Sequence, residues 1–283
     1  MLNLQKIKME YCMDQLSRGY ERNYSEMDKQ LANILVWSVH LALENIANSD
    51  ALYHNVDHTV MATLAGQSIL EGKHLAEGGV TPGDWAHFII ALLFHDIGYV
   101  KGICRGDAGN AFSTGIDDIK VTLSNGGTDA ALAPYHVDRS KRFVLERFGH
   151  GMIMEDAIDA DLIASYIEMT RFPVPDEPWY QDTQEYRGLV RAADFIGQLG
   201  EPNRLQKCTA LFYEFEEIGL NEKLGYKTAG DLRKNNAMFY WKVISPYVQD
   251  GLRYLRVTQE GKQWIANLQA NVFGQDMQAD ADS

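Results

Sequence analysis

A chain of 283 residues, 46% hydrophobic and 23% charged, is long enough to bury a large core and has the composition of an ordinary globular protein. Its formal net charge of -13 opposes binding to duplex nucleic acid or to an anionic membrane surface, yet admits a small anionic ligand wherever bound cations supply local positive charge. Three cysteines, Cys12, Cys104 and Cys208, with no CxxC pair, argue against a disulfide framework and fit a reducing, cytoplasmic setting. The first residues show no apolar signal segment, and no run approaches the length of a membrane span.

In chain order, residues 1–24 are mixed and polar and predict an N-terminal arm or short helix. Leu31, Ile34, Leu35, Leu41, Ala42 and Asn45 recur at helical spacing and predict a helix from about Ser25 to Asn48. The segment Tyr53-His54-Asn55-Val56-Asp57-His58 then opens a helix to about Leu75. His54 and His58, four residues apart, share one face of it. Gly78 to Pro82 forms a turn with Thr81 as N-cap and Pro82 at the first helical position. The next helix is an apolar run that delivers the adjacent pair His95-Asp96 and stops at Gly98.

A long glycine-rich stretch follows, residues 101–128, with a short strand predicted over Ile119 to Leu123. Its length and its exit from His95-Asp96 mark it as a rim of the site. Pro134 to Arg139 leads into a helix to about Phe148, and further helices are predicted from Glu155 to Thr170, Thr183 to Leu199, Leu205 to Ile218, Asp231 to Leu255 with a break near Pro246, and Gln259 to Val272. Residues 273–283 form an acidic tail expected to be disordered. Nearly every segment reads as helix and no linker divides residues 25–272, so the expected fold is one all-α domain.

Asp194 sits in the apolar run Val190 to Ile196, where an unpaired carboxylate is expensive. An ion pair with Arg191 is one way to satisfy it. Ligation of a metal is another, and His58, His95 and Asp96 supply the rest of a His2Asp2 set from separate helices. Imidazole and carboxylate suit several divalent ions, so manganese, magnesium, zinc, iron and nickel all remain open.

The order H…HD…D resembles the HD superfamily of metal-dependent phosphohydrolases. Tyr53-His54-Asn55-Val56-Asp57-His58 further resembles the YHNxxH segment of class I cyclic nucleotide phosphodiesterases. Ala193-Asp194-Phe195-Ile196, Ile167 to Arg171, Phe212 to Gly219 and Met238 to Pro246 are similar to later segments of that class. The resemblance implies one metal on His58, His95, Asp96 and Asp194, with Asp96 bridging to a second that is otherwise held by water. It implies His54 as the general acid and Phe239 as a clamp on a nucleotide base. Tyr53, His136, Arg139 and Asn236 are further candidates for contact with a small phosphoester, possibly a nucleotide. Three departures stand out: Tyr99 replaces a family histidine three residues after Asp96, Asn236 a longer amide, and Gly197 an asparagine. Two metals can activate water and polarise a phosphate near neutral pH, and a histidine can protonate the leaving oxygen. The alternatives are an HD-type iron oxygenase, a monoester hydrolase, and a regulator that binds nucleotide or metal without turnover. Oligomeric state has no signature in the sequence.

Overall fold

The computed structural model describes residues 3–25, 27–124, 126–149 and 156–273, and among these the fold is all-α with one two-stranded hairpin. Helix α1 (Leu4–Tyr24) starts where the Asn3 side chain accepts a hydrogen bond from the Lys6 N–H. It is neither an arm nor short. It has 21 residues, and Met9, Cys12, Leu16 and Tyr20 recur at helical spacing to bury one face in the core.

Helix α2 (Lys29–Ile46), capped by Asp28, lies beside α1. Helix α3 (Val56–Glu77) begins at Asn55, whose side chain accepts from the N–H groups of Asp57 and His58. Helix α4 (Pro82–Phe94) opens as expected, with a capping box between Thr81 and Asp84. It is buried along nearly its whole length, which the uniformly apolar Phe88 to Phe94 run requires. A 3-10 turn, Ile97–Tyr99, follows.

The predicted strand forms as β2 (Lys120–Thr122), and its antiparallel partner β1 (Ala111–Ser113) lies at the other end of the same loop. A 3-10 segment over Asp129–Tyr135 leads into α5 (His136–Phe148), which packs on α6 (Ala160–Glu168). Helix α6 starts at its cap Asp159; the expected start, Glu155, lies outside the described residues, as does the acidic tail beyond Phe273.

Helix α7 (Tyr186–Leu199) runs against α3. Next come α8 (Arg204–Glu217), α9 (Leu220–Leu224), α10 (Ala229–Lys234) and α11 (Asn236–Phe239). A π-turn over Tyr240–Ile244 then joins α12 (Ser245–Leu255), and α13 (Gln259–Phe273) closes the fold. The helix predicted from Asp231 to Leu255 with a break near Pro246 is instead interrupted at Asn235, and near Pro246 it is widened into a π-turn and not broken. Proline lacks the N–H that a regular helix needs there, and the π-turn absorbs the mismatch.

Glycines set the close approach of the helices that carry the site. A Cβ on Gly66 would lie 2.1 Å from Leu92 Cδ1 of α4, and one on Gly197 would lie 2.5 Å from Ala62 Cα of α3. The family-like asparagine at position 197 therefore has no room, because the α3 backbone occupies its space. Gly197→Ala is expected to lower stability by about 1–3 kcal/mol through overpacking against backbone. Urea denaturation checks this, and an unchanged midpoint would show that the helices can part freely.

Candidate metal centre

Three elements bring four side chains to one point. His58 comes from the first turn of α3, His95 and Asp96 from the end of α4, and Asp194 from the middle of α7. His58 Nε2 lies 3.0 Å from Asp96 Oδ2, 3.3 Å from Asp194 Oδ1 and 3.2 Å from His95 Nε2. His95 Nε2 lies 3.1 Å from Asp96 Oδ2 and 3.6 Å from Asp194 Oδ1. His58, His95 and Asp96 are buried, and Asp194 is only slightly exposed.

Second contacts orient these groups. His95 Nδ1 is 2.7 Å from the Leu92 carbonyl, so it donates there and turns Nε2 into the centre. Asp96 Oδ2 is buried among the imidazoles without a hydrogen bond of acceptable geometry. An orphaned carboxylate oxygen facing two imidazole nitrogens is what a cation would satisfy. His58, His95 and Asp194 each offer a ligand atom within 4.8 Å of the others. Donor set and geometry fit a divalent ion.

The electrostatics agree. Burial disfavours the charged form of His58, but the nearby carboxylates of Asp194 and Asp96 outweigh it and raise the imidazole to about 9. His95 is likewise raised well above its ordinary value against burial, chiefly by Asp96. Burial pushes the carboxyls of Asp96 and Asp194 up, yet the two imidazoles hold both below the ordinary range. A field that draws protons onto two buried imidazoles favours a cation at the same point.

His54 lies beside this cluster, its ring 5.5 Å from that of His58. Its Nδ1 is 2.5 Å from Glu214 Oε2, while Glu214 Oε1 accepts from the Tyr53 N–H at 2.6 Å and the His54 N–H at 3.2 Å. Burial pushes the Glu214 carboxyl up, but His54 and these N–H groups hold it below the usual range. A fixed carboxylate on Nδ1 leaves His54 Nε2 for the centre, with the Tyr99 hydroxyl 3.5 Å away. Glu214 is a functional candidate that the sequence reading missed. Its signal was an acid set among aromatics, Phe212-Tyr213-Glu214-Phe215.

Tyr99 and His136 complete the surroundings. The Tyr99 ring stacks on His54 at 4.3 Å and on His136 at 4.6 Å. Burial raises its phenol well above the ordinary value, so it stays protonated. His136 Nε2 lies 3.7 Å from Asp96 Oδ1, and burial lowers the imidazole's affinity for a second proton.

The remaining candidates divide. Tyr53 is fully buried, its ring packed on His54 and His58 and its hydroxyl 3.5 Å from Arg204, so it supports the histidines and does not face a ligand. Arg139 is also fully buried and is not a ligand-binding residue. Its guanidinium donates to the carbonyls of Gly98, Val100 and Ser113 and to both oxygens of Asp107, which uses all five N–H groups. Asn236 is turned to the fold: buried, with its Nδ2 donating to the Asn271 carbonyl of α13. Phe239 lies 5.8 Å from Phe172, which lies 6.2 Å from Phe195, the neighbour of Asp194 in sequence. Arg191 does not pair with Asp194. It donates to the carbonyls of Tyr180 and Asp182 and stacks on Tyr247.

Fold and centre together define an all-α protein with a buried His–Asp cluster suited to a divalent ion. A family model described as Npun_R2479-like matches residues 2–278, and the chain belongs to that family. No curated protein matches it. No helix among the described residues is long and apolar enough to cross a membrane.

Arg139→Met is expected to cost about 3–5 kcal/mol, because it strands the buried Asp107 carboxylate. Chemical denaturation reads this directly. Stability equal to the wild type would return Arg139 to the list of ligand contacts.

Proposed function

We propose that this chain is a metal-dependent phosphoester hydrolase of the HD type. The observation that carries the proposal is the neighbourhood of two devices: a His2Asp2 cluster with an orphaned carboxylate oxygen, and a histidine held by a buried glutamate at its edge. A bound divalent ion would polarise the phosphate and activate water.

The chain's own residues have separable tasks. His58, His95, Asp96 and Asp194 hold the ion. Glu214 fixes the orientation of His54 through Nδ1. His54 delivers a proton from Nε2 to the leaving oxygen. Tyr99 packs against the His54 ring and stays a neutral hydrogen-bonding group beside that nitrogen. Phe172, Phe195 and Phe239 form an apolar wall for the ester's organic part. With Asn236 turned to α13 and no side chain at Gly197, neither position can select a purine. The proposed substrate is therefore a small phosphoester, nucleotide or otherwise, accepted on its phosphate and its apolar face. Three buried, unpaired cysteines support a reducing, cytoplasmic setting.

The test is hydrolysis by manganese-loaded protein of bis-(p-nitrophenyl) phosphate and of cyclic AMP and cyclic GMP. Chelation is expected to abolish turnover and manganese to restore it. Asp194→Ala should be inactive. His54→Gln should slow esters with poor leaving groups by about 10²–10⁴-fold. The p-nitrophenyl ester, whose leaving group needs little protonation, should suffer much less. Full activity in Asp194→Ala, or no ester hydrolysed with any divalent ion, would remove the proposal.

A further inference from the structure

Tyr99 is buried beside the centre, and its hydroxyl lacks a good partner. The one hydrogen bond the structure gives it is to His54 Nε2 at 3.5 Å, the outer limit of such a contact. The two rings stack at 4.3 Å and lie 11° from parallel. The contact therefore crosses the stack, whereas an imidazole N–H or lone pair points along its own ring plane. The phenolic O–H is left free for a closer, better aligned oxygen. We propose that Tyr99 is a catalytic residue: its hydroxyl donates a hydrogen bond to the departing oxygen of the ester, beside the His54 Nε2–H that protonates it. The inference rests on the hydrolase reading above and deepens it by giving the departing oxygen a second donor.

Three observations carry it. The first is the place of the hydroxyl. After burial, the carboxylates of Asp96, Glu214 and Asp194 do most to raise the phenol, so its polar end lies among the groups of the centre and stays protonated. The second is rigidity. His54 and His136 both stack on the ring, the Tyr99 N–H donates to the Asp96 carbonyl at 3.1 Å, and Ser140 Oγ accepts from the adjoining Gly98 N–H at 2.9 Å. A donor held in this way needs no reorganisation when charge develops beside it. The third is spacing. Two donors whose heavy atoms are 3.5 Å apart can both lie about 3 Å from one oxygen.

The step balances with Tyr99 unchanged. The water oxygen bonds to phosphorus. The bond from phosphorus to the departing oxygen breaks with its electron pair left on that oxygen, and the His54 Nε2 proton moves there. The proton shed by the water restores His54 over the cycle. Tyr99 keeps its own proton and shares it with an oxygen that gains negative charge, where a hydrogen bond is roughly twice as strong as to a neutral acceptor.

The experiment compares manganese-loaded wild type, Tyr99→Phe and His54→Gln on phosphodiesters with leaving groups of graded basicity. Tyr99→Phe removes the oxygen and keeps the ring on which both histidines stack, so bound manganese is expected to equal the wild type. Its kcat on esters with the most basic leaving groups is expected to fall about 10²-fold with KM little changed. The loss should shrink as the leaving group improves, as for His54→Gln. Calorimetric binding of inorganic phosphate, one oxygen of which stands in for the departing one, should weaken about tenfold in Tyr99→Phe. A manganese-loaded wild-type crystal soaked in phosphate should show a phosphate oxygen about 3 Å from the Tyr99 hydroxyl. Full kcat in Tyr99→Phe, a loss equal for all leaving groups, unchanged phosphate affinity, or a phosphate with no oxygen at the hydroxyl overturns the inference. The wild-type map decides even where the variant fails to fold. Any of these results leaves the hydrolase reading standing while the wild type turns over an ester. A wild type that hydrolyses no ester removes that reading, and this inference with it.

Discussion

Two carboxylates, Asp96 and Asp194, are buried beside one another with no lysine or arginine paired to either among the described residues. Each buried ion costs several kcal/mol unless its surroundings return that energy. The structure returns it with the imidazoles of His58, His95 and His136. This requirement fixes the rest of the architecture. Helices α3, α4 and α7 must meet at one point within a few tenths of an ångström, and small residues such as Gly66 and Gly197 allow the approach.

The end of α4 would be a weak place for such a centre if it were left to itself, because helix ends fray and loops move. Helix α5 prevents this. Ser140 Oγ donates to the His95 carbonyl at 2.7 Å and accepts from the Gly98 N–H at 2.9 Å. One residue earlier, Arg139 grips the Gly98 and Val100 carbonyls and reaches Asp107 and Ser113 in the following loop. A single turn of α5 thus pins the His95-Asp96 turn, anchors the glycine-rich loop and presents His136 to Asp96. The loop's first half is structurally committed through Arg139, which is why a stretch that reads as a mobile rim carries a hairpin.

Much of this was legible in the sequence, for identifiable physical reasons. His58, His95, Asp96 and Asp194 stood out because a polar group in an apolar run needs a partner; His54 was singled out by a shared helix face with His58, but it lies ahead of the cap Asn55, outside α3, and reaches His58 from the preceding bend. The helices were visible through periodicity and caps such as Thr81. What stayed hidden depended on contacts far apart in the chain. Glu214 lies 160 residues from His54 and looks like any acid on a helix. Arg139 looked like a phosphate ligand because an arginine near a candidate site carries no mark of burial. Asn236 matched a family position in order along the chain, but its hydrogen bond to Asn271 is a tertiary fact. In α1 the apolar residues are interspersed with many charged and polar ones, and only packing shows which of them bury one face.

Tyr99 shows how one replaced residue reorganises its neighbours. A histidine at that position would offer a nitrogen to the region of Asp96; a tyrosine offers a broad ring and a hydroxyl. Its two faces stack on His54 and His136, so the rotamers of both imidazoles are set by one side chain that is itself buried. The hydroxyl, kept neutral by burial, reaches toward His54 Nε2 and can hydrogen-bond there whichever way the proton lies. Gly98, by having no side chain, lets the start of α5 approach so closely that His136 Nε2 comes to 3.7 Å from Asp96 Oδ1.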